Sequence, residues 1–244
     1  AQKALLVGNI EIPYTGYALE SDKDSVTVAE ISSFQLETMV TFKPHVTAIL
    51  NITPDHLDRH KTLENYIAIK ESITKNQDEN DFCVLNYNDP VLREFGKTPR
   101  CKVIFFSSSE ELESGVFLRG DTMIIKENGV ETPVCTTKDT SLVGMHNYEN
   151  IMAAIAMTHA MGVPLDTIRQ GIKEFTAVEH RIEFVTEKNG VKYYNDSKGT
   201  NPDAAIKAVY AMPSPTILIG GGYDKKTSYD EWVATFEGRV KELL

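Results

Sequence analysis

The densest chemistry in this 244-residue chain lies between Asn51 and Lys70, NITPDHLDRHKTLENYIAIK. A polar turn there carries Asp55, His56, Asp58 and His60. His56 and His60 form H-x-x-x-H, which on one helix would aim two imidazoles at a zinc ion. Here the spacing straddles a turn and carboxylates sit between. A hard cation held by a carboxylate, one histidine and phosphate oxygens is the better match, because magnesium prefers oxygen ligands and keeps its waters. Glu30, at the end of a neighbouring strand pattern, is the natural carboxylate partner; alone it reads equally as a solvated loop acid. Lys70 is the i+7 member of a helical stripe formed by Leu63, Tyr66, Ile67 and Ile73. Burial on such a stripe disfavours the ammonium form. This lysine either snorkels to the edge or is kept neutral or modified in a site whose other wall holds His56.

Three further clusters have a ligand's chemistry. Asn147 and Asn150, in GMHNYEN, are three apart at the start of a strongly apolar helix pattern, so both amides reach one ligand edge; one of them serves equally as an N-cap. NDSKGTN, residues 195–201, joins a strand pattern to a helix start. It offers Asp196, Lys198, Thr200 and helix-start amides, a mixture suited to an anion or an amine, or to a capping loop. Gly220-Gly221-Gly222-Tyr223-Asp224-Lys225 follows a strand pattern, permits close backbone approach and supplies a cation. It fits neither the P-loop nor the dinucleotide fingerprint.

These clusters need elements to hold them. Apolar runs at Ala4–Val7, Ser25–Ile31, Val46–Ile52, Phe82–Asn86 and Lys102–Phe106 alternate with helical patterns. The first of these begins at the very start of the chain, as if something came before it. The alternation predicts an α/β domain with a largely parallel sheet. Asn9, Glu30 and Asp55-His56 each follow a run directly, at the carboxyl ends where such sheets bind ligands. From 115 to 134 shorter strands take over, with a hairpin turn at Glu127-Asn128-Gly129. Helices are expected over 147–162 and 165–175, and a short one over Phe34–Met39. A second α/β unit starts near 179: a hairpin across Asn189-Gly190, a helix from Asn201-Pro202, a strand at Thr216–Ile219, and a helix from Tyr229 to the end.

Gross composition agrees. A hydrophobic content of 41% with 25% charged residues is that of a globular protein. The net charge of -10 argues against a nucleic-acid surface. No apolar run reaches the length of a membrane span, and no signal-peptide pattern opens the chain. Cys83, Cys101 and Cys135 match no metal or redox spacing, which points to a reduced, cytoplasmic setting.

Taken in order, GNI at 8–10, AEISSFQLE at 29–37, NITPDHLDRH at 51–60, Y-x-x-x-K at 66–70, GMHNYEN at 144–150, EHRIE at 179–183, NDSKGTN and GGGYDK resemble the Mur ligases of peptidoglycan synthesis along nearly the whole chain. ISSFQLE and NDSK-x-TN point to the family's D-glutamate-adding branch. Folylpolyglutamate synthase, which shares the fold, is the alternative within the ligases, and a non-catalytic nucleotide-binding piece is the alternative outside them. The resemblance implies a central ATP-binding domain at 1–178 and the first half of a Rossmann-like C-terminal domain at 179–244. It implies ATP and Mg2+ as cofactors, UDP-N-acetylmuramoyl-L-alanine and D-glutamate as substrates, and a monomer working without nucleic acid or membrane. Glu30 and His56 are implied as magnesium ligands, with Lys70 as the lysine whose carbamate helps to hold a second magnesium. Asn9 and Ser32 are implied to contact the nucleotide-sugar substrate, Asn147 and Asn150 the base of ATP, and Arg181 and Asp196 its phosphates and ribose. Lys198, Thr200 and Lys225 are implied to place D-glutamate. His60 is left as a turn residue. The implied reaction passes the γ-phosphate to a carboxylate, and an amine then attacks the acyl phosphate. Two departures stand out. The family's phosphate loop of G-x-x-G-K-[ST]-[ST] type is absent, so these residues alone are expected to be inactive, as part of a longer protein. Glu11 stands where the family has glycine after GNI.

Overall fold

The computed structural model describes residues 3–9, 12–176, 179–222 and 228–244. Two strands open the chain, β1 (Lys3–Gly8) and β2 (Ser25–Glu30), paired in parallel with Gly8 opposite Glu30. A short helix α1 (Ser33–Leu36) follows. The main sheet has six strands in chain order: β3 (Val46–Ile49), β4 (Phe82–Asn86), β5 (Lys102–Ser107), β6 (Gly115–Arg119), β7 (Thr122–Glu127) and β8 (Val130–Thr136). β3 to β6 run parallel, and β6, β7 and β8 are antiparallel. The mixed α/β class with a largely parallel sheet is therefore as expected, except that β1 and β2 form a sheet of their own.

Residue alternation explains the layers. On β4, Val84 faces one side while Cys83 and Leu85 face the other, and all three are fully buried. Val84 joins Phe106, Val116 and Met123 beneath Met152 and Ile155 of α5 (Met145–Ala160) and Ile168 and Ile172 of α6 (Leu165–Glu174). Side chains buried like Met152 each contribute roughly 1.5–3 kcal/mol. On the opposite face Cys83, Leu85 and Ile49 pack with Cys101, Ile73 and Leu92. Helices therefore cover both faces, as parallel strands require.

Between β3 and β4 lie α2 (Leu57–His60) and α3 (Leu63–Glu71), and after β4 comes α4 (Pro90–Phe95). Thr62 caps α3 through Asn65 N–H, and Asp89 caps α4 through Val91 and Leu92 N–H. The strand expected over Val46–Ile52 stops at Ile49, since Asn86 Nδ2 takes the Leu50 carbonyl (3.1 Å) and Asp89 Oδ2 accepts Ile52 N–H (2.7 Å). Ile73 is not on α3 but in the 3-10 turn Ser72–Thr74 that follows it.

In the second unit, β9 (Glu183–Lys188) and β10 (Val191–Asn195) pair across Asn189-Gly190, both at positive φ as a tight hairpin turn requires. β9 begins only at Glu183, because His180 and Ile182 before it hold left-handed backbone. Asn201 caps α7 (Pro202–Ala211), which leads to β11 (Thr216–Leu218). The helix expected from Tyr229 to the end is instead a short α8 (Asp230–Ala234) and a strand β12 (Val240–Leu243) parallel to β11. Gly238, at φ +69°, turns the chain between them.

Candidate functional site

Asn9, Glu30 and the Asn51–His56 loop all emerge from carboxyl ends of parallel strands. Gly8 makes the first meeting possible. Its φ is +113°, and a Cβ there would lie 2.1 Å from the Glu30 carbonyl oxygen. That approach lets Asn9 N–H donate to the Glu30 carbonyl (2.8 Å) and Asn9 Nδ2 donate to Glu30 Oε1 (3.4 Å). The Glu30 carboxylate is otherwise exposed. Ser32 is the N-cap of α1 in a capping box: Gln35 N–H donates to its hydroxyl, and Gln35 Oε1 accepts Ser32 N–H (2.8 Å).

His56 is the N-cap of α2, in left-handed backbone with φ 51° and ψ 32°. A non-glycine residue there costs on the order of 1–3 kcal/mol and persists only where surroundings enforce it. Its ring is half exposed and packs on Phe34, centroids 4.9 Å apart. Asp55 stays beside it, 3.6 Å from Nε2. His60, expected as a turn residue, is instead the last residue of α2 and buried, because Ser33 Oγ lies 3.0 Å from its Nε2. Lys70, in the last turn of α3, is half-buried with Nζ 5.0 Å from the Tyr66 ring centroid.

The donor set bears on magnesium. Glu30, Asp55 and His56 offer hard oxygens and one imidazole, but among the described residues no three His, Cys, Asp or Glu side chains cluster as a cage. That chemistry fits an ion taking one or two protein ligands and completing its shell with phosphate and water. It does not fit a structural zinc.

A second group of residues flanks the start of α5. Gly144, at φ +95°, leaves no room for a Cβ: Ala211 Cβ and His146 Cε1 would each be 2.8 Å away. Asn147 is buried and its Nδ2 donates to the Val143 carbonyl (2.8 Å), leaving its oxygen for another partner, while Asn150 is exposed. Thus the amide pair shares a helix end without sharing an environment. Ser108 Oγ donates to Glu149 Oε1 (2.6 Å), tying this helix start to the end of β5. His146 has its pKa lowered by burial and by the positive charges of Lys207 and Arg181. The second unit therefore brings Arg181 toward the candidate base site.

Arg181 lies between two left-handed residues, His180 and Ile182. Ile182 is β-branched, so its φ of 46° is a genuine outlier. Asp196 holds it there: Oδ1 accepts Ile182 N–H (3.0 Å). Burial raises the Asp196 carboxyl, against that hydrogen bond and the charge of Arg181. Lys198 N–H donates to the His180 carbonyl (2.9 Å), so EHRIE and NDSK are one knot. The side chains of Lys198 and Thr200 are exposed. Lys225 and Glu11 lie outside the described residues.

Phe34, Tyr66, Asp89 and Glu149 are neighbours that the expected site set leaves out. Tyr66 had a signal as the i-4 neighbour of Lys70 on its stripe, and Asp89 had one as an acid before proline at the end of a strand pattern.

Comparison with known proteins adds identity to this geometry. The family described as Mur ligase middle domain matches residues 6–158. A UDP-N-acetylmuramoylalanine--D-glutamate ligase of Lachnoclostridium phytofermentans is 53% identical over 243 residues, which is 100% of this chain and 54% of that protein. The protein of the same name from Lachnospira eligens is 52% identical over the same span. The chain thus spans about half the length of the curated relatives it matches. Among solved structures, MurF ligase from Thermotoga maritima in complex with ADP superposes with a TM-score of 0.67 at 16% identity, over 100% of this chain and 70% of that one. MurF from Acinetobacter baumannii gives 0.67 at 16%, over 99% and 67%. At such identities the structural likeness speaks for the fold.

Proposed function

This chain belongs to the Mur ligase family, and from that premise we propose that the full-length protein is an ATP-dependent ligase adding D-glutamate to UDP-N-acetylmuramoyl-L-alanine. The observation that carries the reading is the 53% identity, across the whole chain, to a ligase of that name. Residues 1–178 are taken as the central nucleotide-binding domain and 179–244 as the beginning of the C-terminal one. The setting proposed is the cytoplasm; among the described residues no helix is long and apolar enough to cross a membrane.

The roles proposed are those that the family resemblance implies. Asn147, with its oxygen uncommitted, accepts from the exocyclic amine of the base, and Asn150 offers its amide at the rim. Arg181 donates to phosphate oxygens. Asp196 accepts from ribose hydroxyls when ionised, which its burial opposes and Arg181 favours. Asn9 and Ser32 are assigned to the nucleotide-sugar substrate and Lys198, Thr200 and Lys225 to the carboxylates of D-glutamate. Glu30, His56 and Lys70, the last as its carbamate, would hold Mg2+, whose charge offsets that on the phosphoryl oxygens in transfer. The transfer gives an acyl phosphate, which the amine of D-glutamate attacks with phosphate leaving.

The test is phosphate release by the full-length protein with ATP, magnesium and UDP-N-acetylmuramoyl-L-alanine. Release that needs D-glutamate is the expected result. Release that needs a different amino acid, or a folate in place of the nucleotide sugar, overturns the assignment.

A further inference from the structure

The spacing of His60 offers it to zinc or to a turn, and the structure gives it neither role. Its side chain is 1% exposed. On one side Ser33 Oγ meets Nε2 at 3.0 Å, and the Phe34 ring stacks at 5.7 Å and 28°. On the other, the Tyr66 ring lies 5.4 Å away. Both neighbours reach onward: Phe34 touches the His56 ring at 4.9 Å, and Tyr66 lies under Lys70 Nζ at 5.0 Å. His56, Phe34, His60, Tyr66 and Lys70 therefore form an unbroken series, with His60 at its centre. The outer side of the series is closed by Arg59, which stacks on Phe34 (4.9 Å) and donates to both Glu37 oxygens.

We propose that His60 is a positioning residue that sets the separation and orientation of His56 and Lys70. Neither outer residue has a strong polar anchor of its own. His56 sits in strained backbone with a half-exposed ring, and the Lys70 ammonium forms no ion pair among the described residues. What locates both is packing, and that packing converges on one buried imidazole fixed by Ser33. Because α1 follows β2 and α2 follows β3, the same ring also ties the loop after Glu30 to the loop holding His56. This inference rests on the assignment of His56 and Lys70 to the metal and phosphate site.

The test uses the full-length protein, with Mn2+ binding in the presence of ATP, read by electron paramagnetic resonance, as a signal independent of turnover. His60→Ala is expected to weaken Mn2+ binding about tenfold, the scale of lost outer-shell support. His60→Phe, which keeps a ring for both stacks, is expected to restore most of it, and KM for D-glutamate stays unchanged in both. If His60→Ala does not fold, Phe34→Leu cuts the series between His56 and His60, with the same loss expected. A folded His60→Ala or Phe34→Leu protein with wild-type Mn2+ affinity overturns the proposal, as does a His60→Phe protein no better than His60→Ala. Wild-type protein that binds Mn2+ with ATP but shows no D-glutamate-dependent release defeats the substrate reading and leaves this one standing.

Discussion

The two ends of β3 and β4 are built to opposite standards. At the amino end every buried polar group has its partner. Gln77, 2% exposed, accepts from Thr47 Oγ1 (3.1 Å) and donates to the carbonyls of Pro44 (2.9 Å) and Phe82 (3.0 Å). Asp81, also buried, is raised by desolvation, yet the Asp78 N–H, His45 and Lys43 together hold its carboxyl below the ordinary value. Lys43 also brings Asp78 down to about 2. Past the carboxyl ends Asn86 and Asp89 still have partners, but the groups beyond them are left wanting: His56, in the loop after β3, has strained backbone and an aromatic neighbour, and Glu30, at the end of β2, has a single long side-chain hydrogen bond. Satisfied polar networks rigidify a fold, whereas strain and unspent donors collect where ligands arrive. One end of the sheet is for standing still and the other for binding.

Substitutions should separate the ends cleanly. The largest effect is expected at the binding end: Lys70→Ala in the full-length protein lowers ligation by about 10³-fold, the scale of a lost electrostatic group at a transferring centre. Short carboxylic acids added to that variant restore part of the rate by replacing the carbamate. Ligation at the wild-type rate would remove Lys70 from the site. At the standing end, Gln77→Ala takes from the Pro44 carbonyl its side-chain donor and from the Thr47 hydroxyl and the Phe82 carbonyl one of their side-chain partners, and chemical denaturation should report a loss of about 1–3 kcal/mol. Its rate per folded molecule should not change, and a folded variant with impaired turnover would break the contrast. The smallest change in stability is expected at His56→Gly. Glycine accepts the left-handed backbone without penalty, so stability is expected to hold or rise by up to about 1 kcal/mol while activity is lost. A marked drop in melting temperature would mean that His56 serves the fold rather than the site.

Much of this was legible along the chain. The runs at 82–86 and 102–106 became β4 and β5, Asn201 became a cap, and Asn189-Gly190 became a hairpin turn. Such features depend on a few neighbouring residues: side-chain alternation, capping geometry and tolerance of positive φ. The helix expected after Tyr229 failed because β11 offered Val240–Leu243 a partner that no local pattern reveals. His60 failed for the same kind of reason. Its neighbours in sequence are charged, and only the fold delivers Ser33 and Phe34 to its ring. What the sequence determined by itself is the set of reactive side chains, their order and the local elements that carry them. Which of them face one another, and that His60 lies buried between His56 and Lys70, was decided by tertiary packing. Contacts between residues distant in the chain are bought by burying the surfaces between them, and no local preference encodes that.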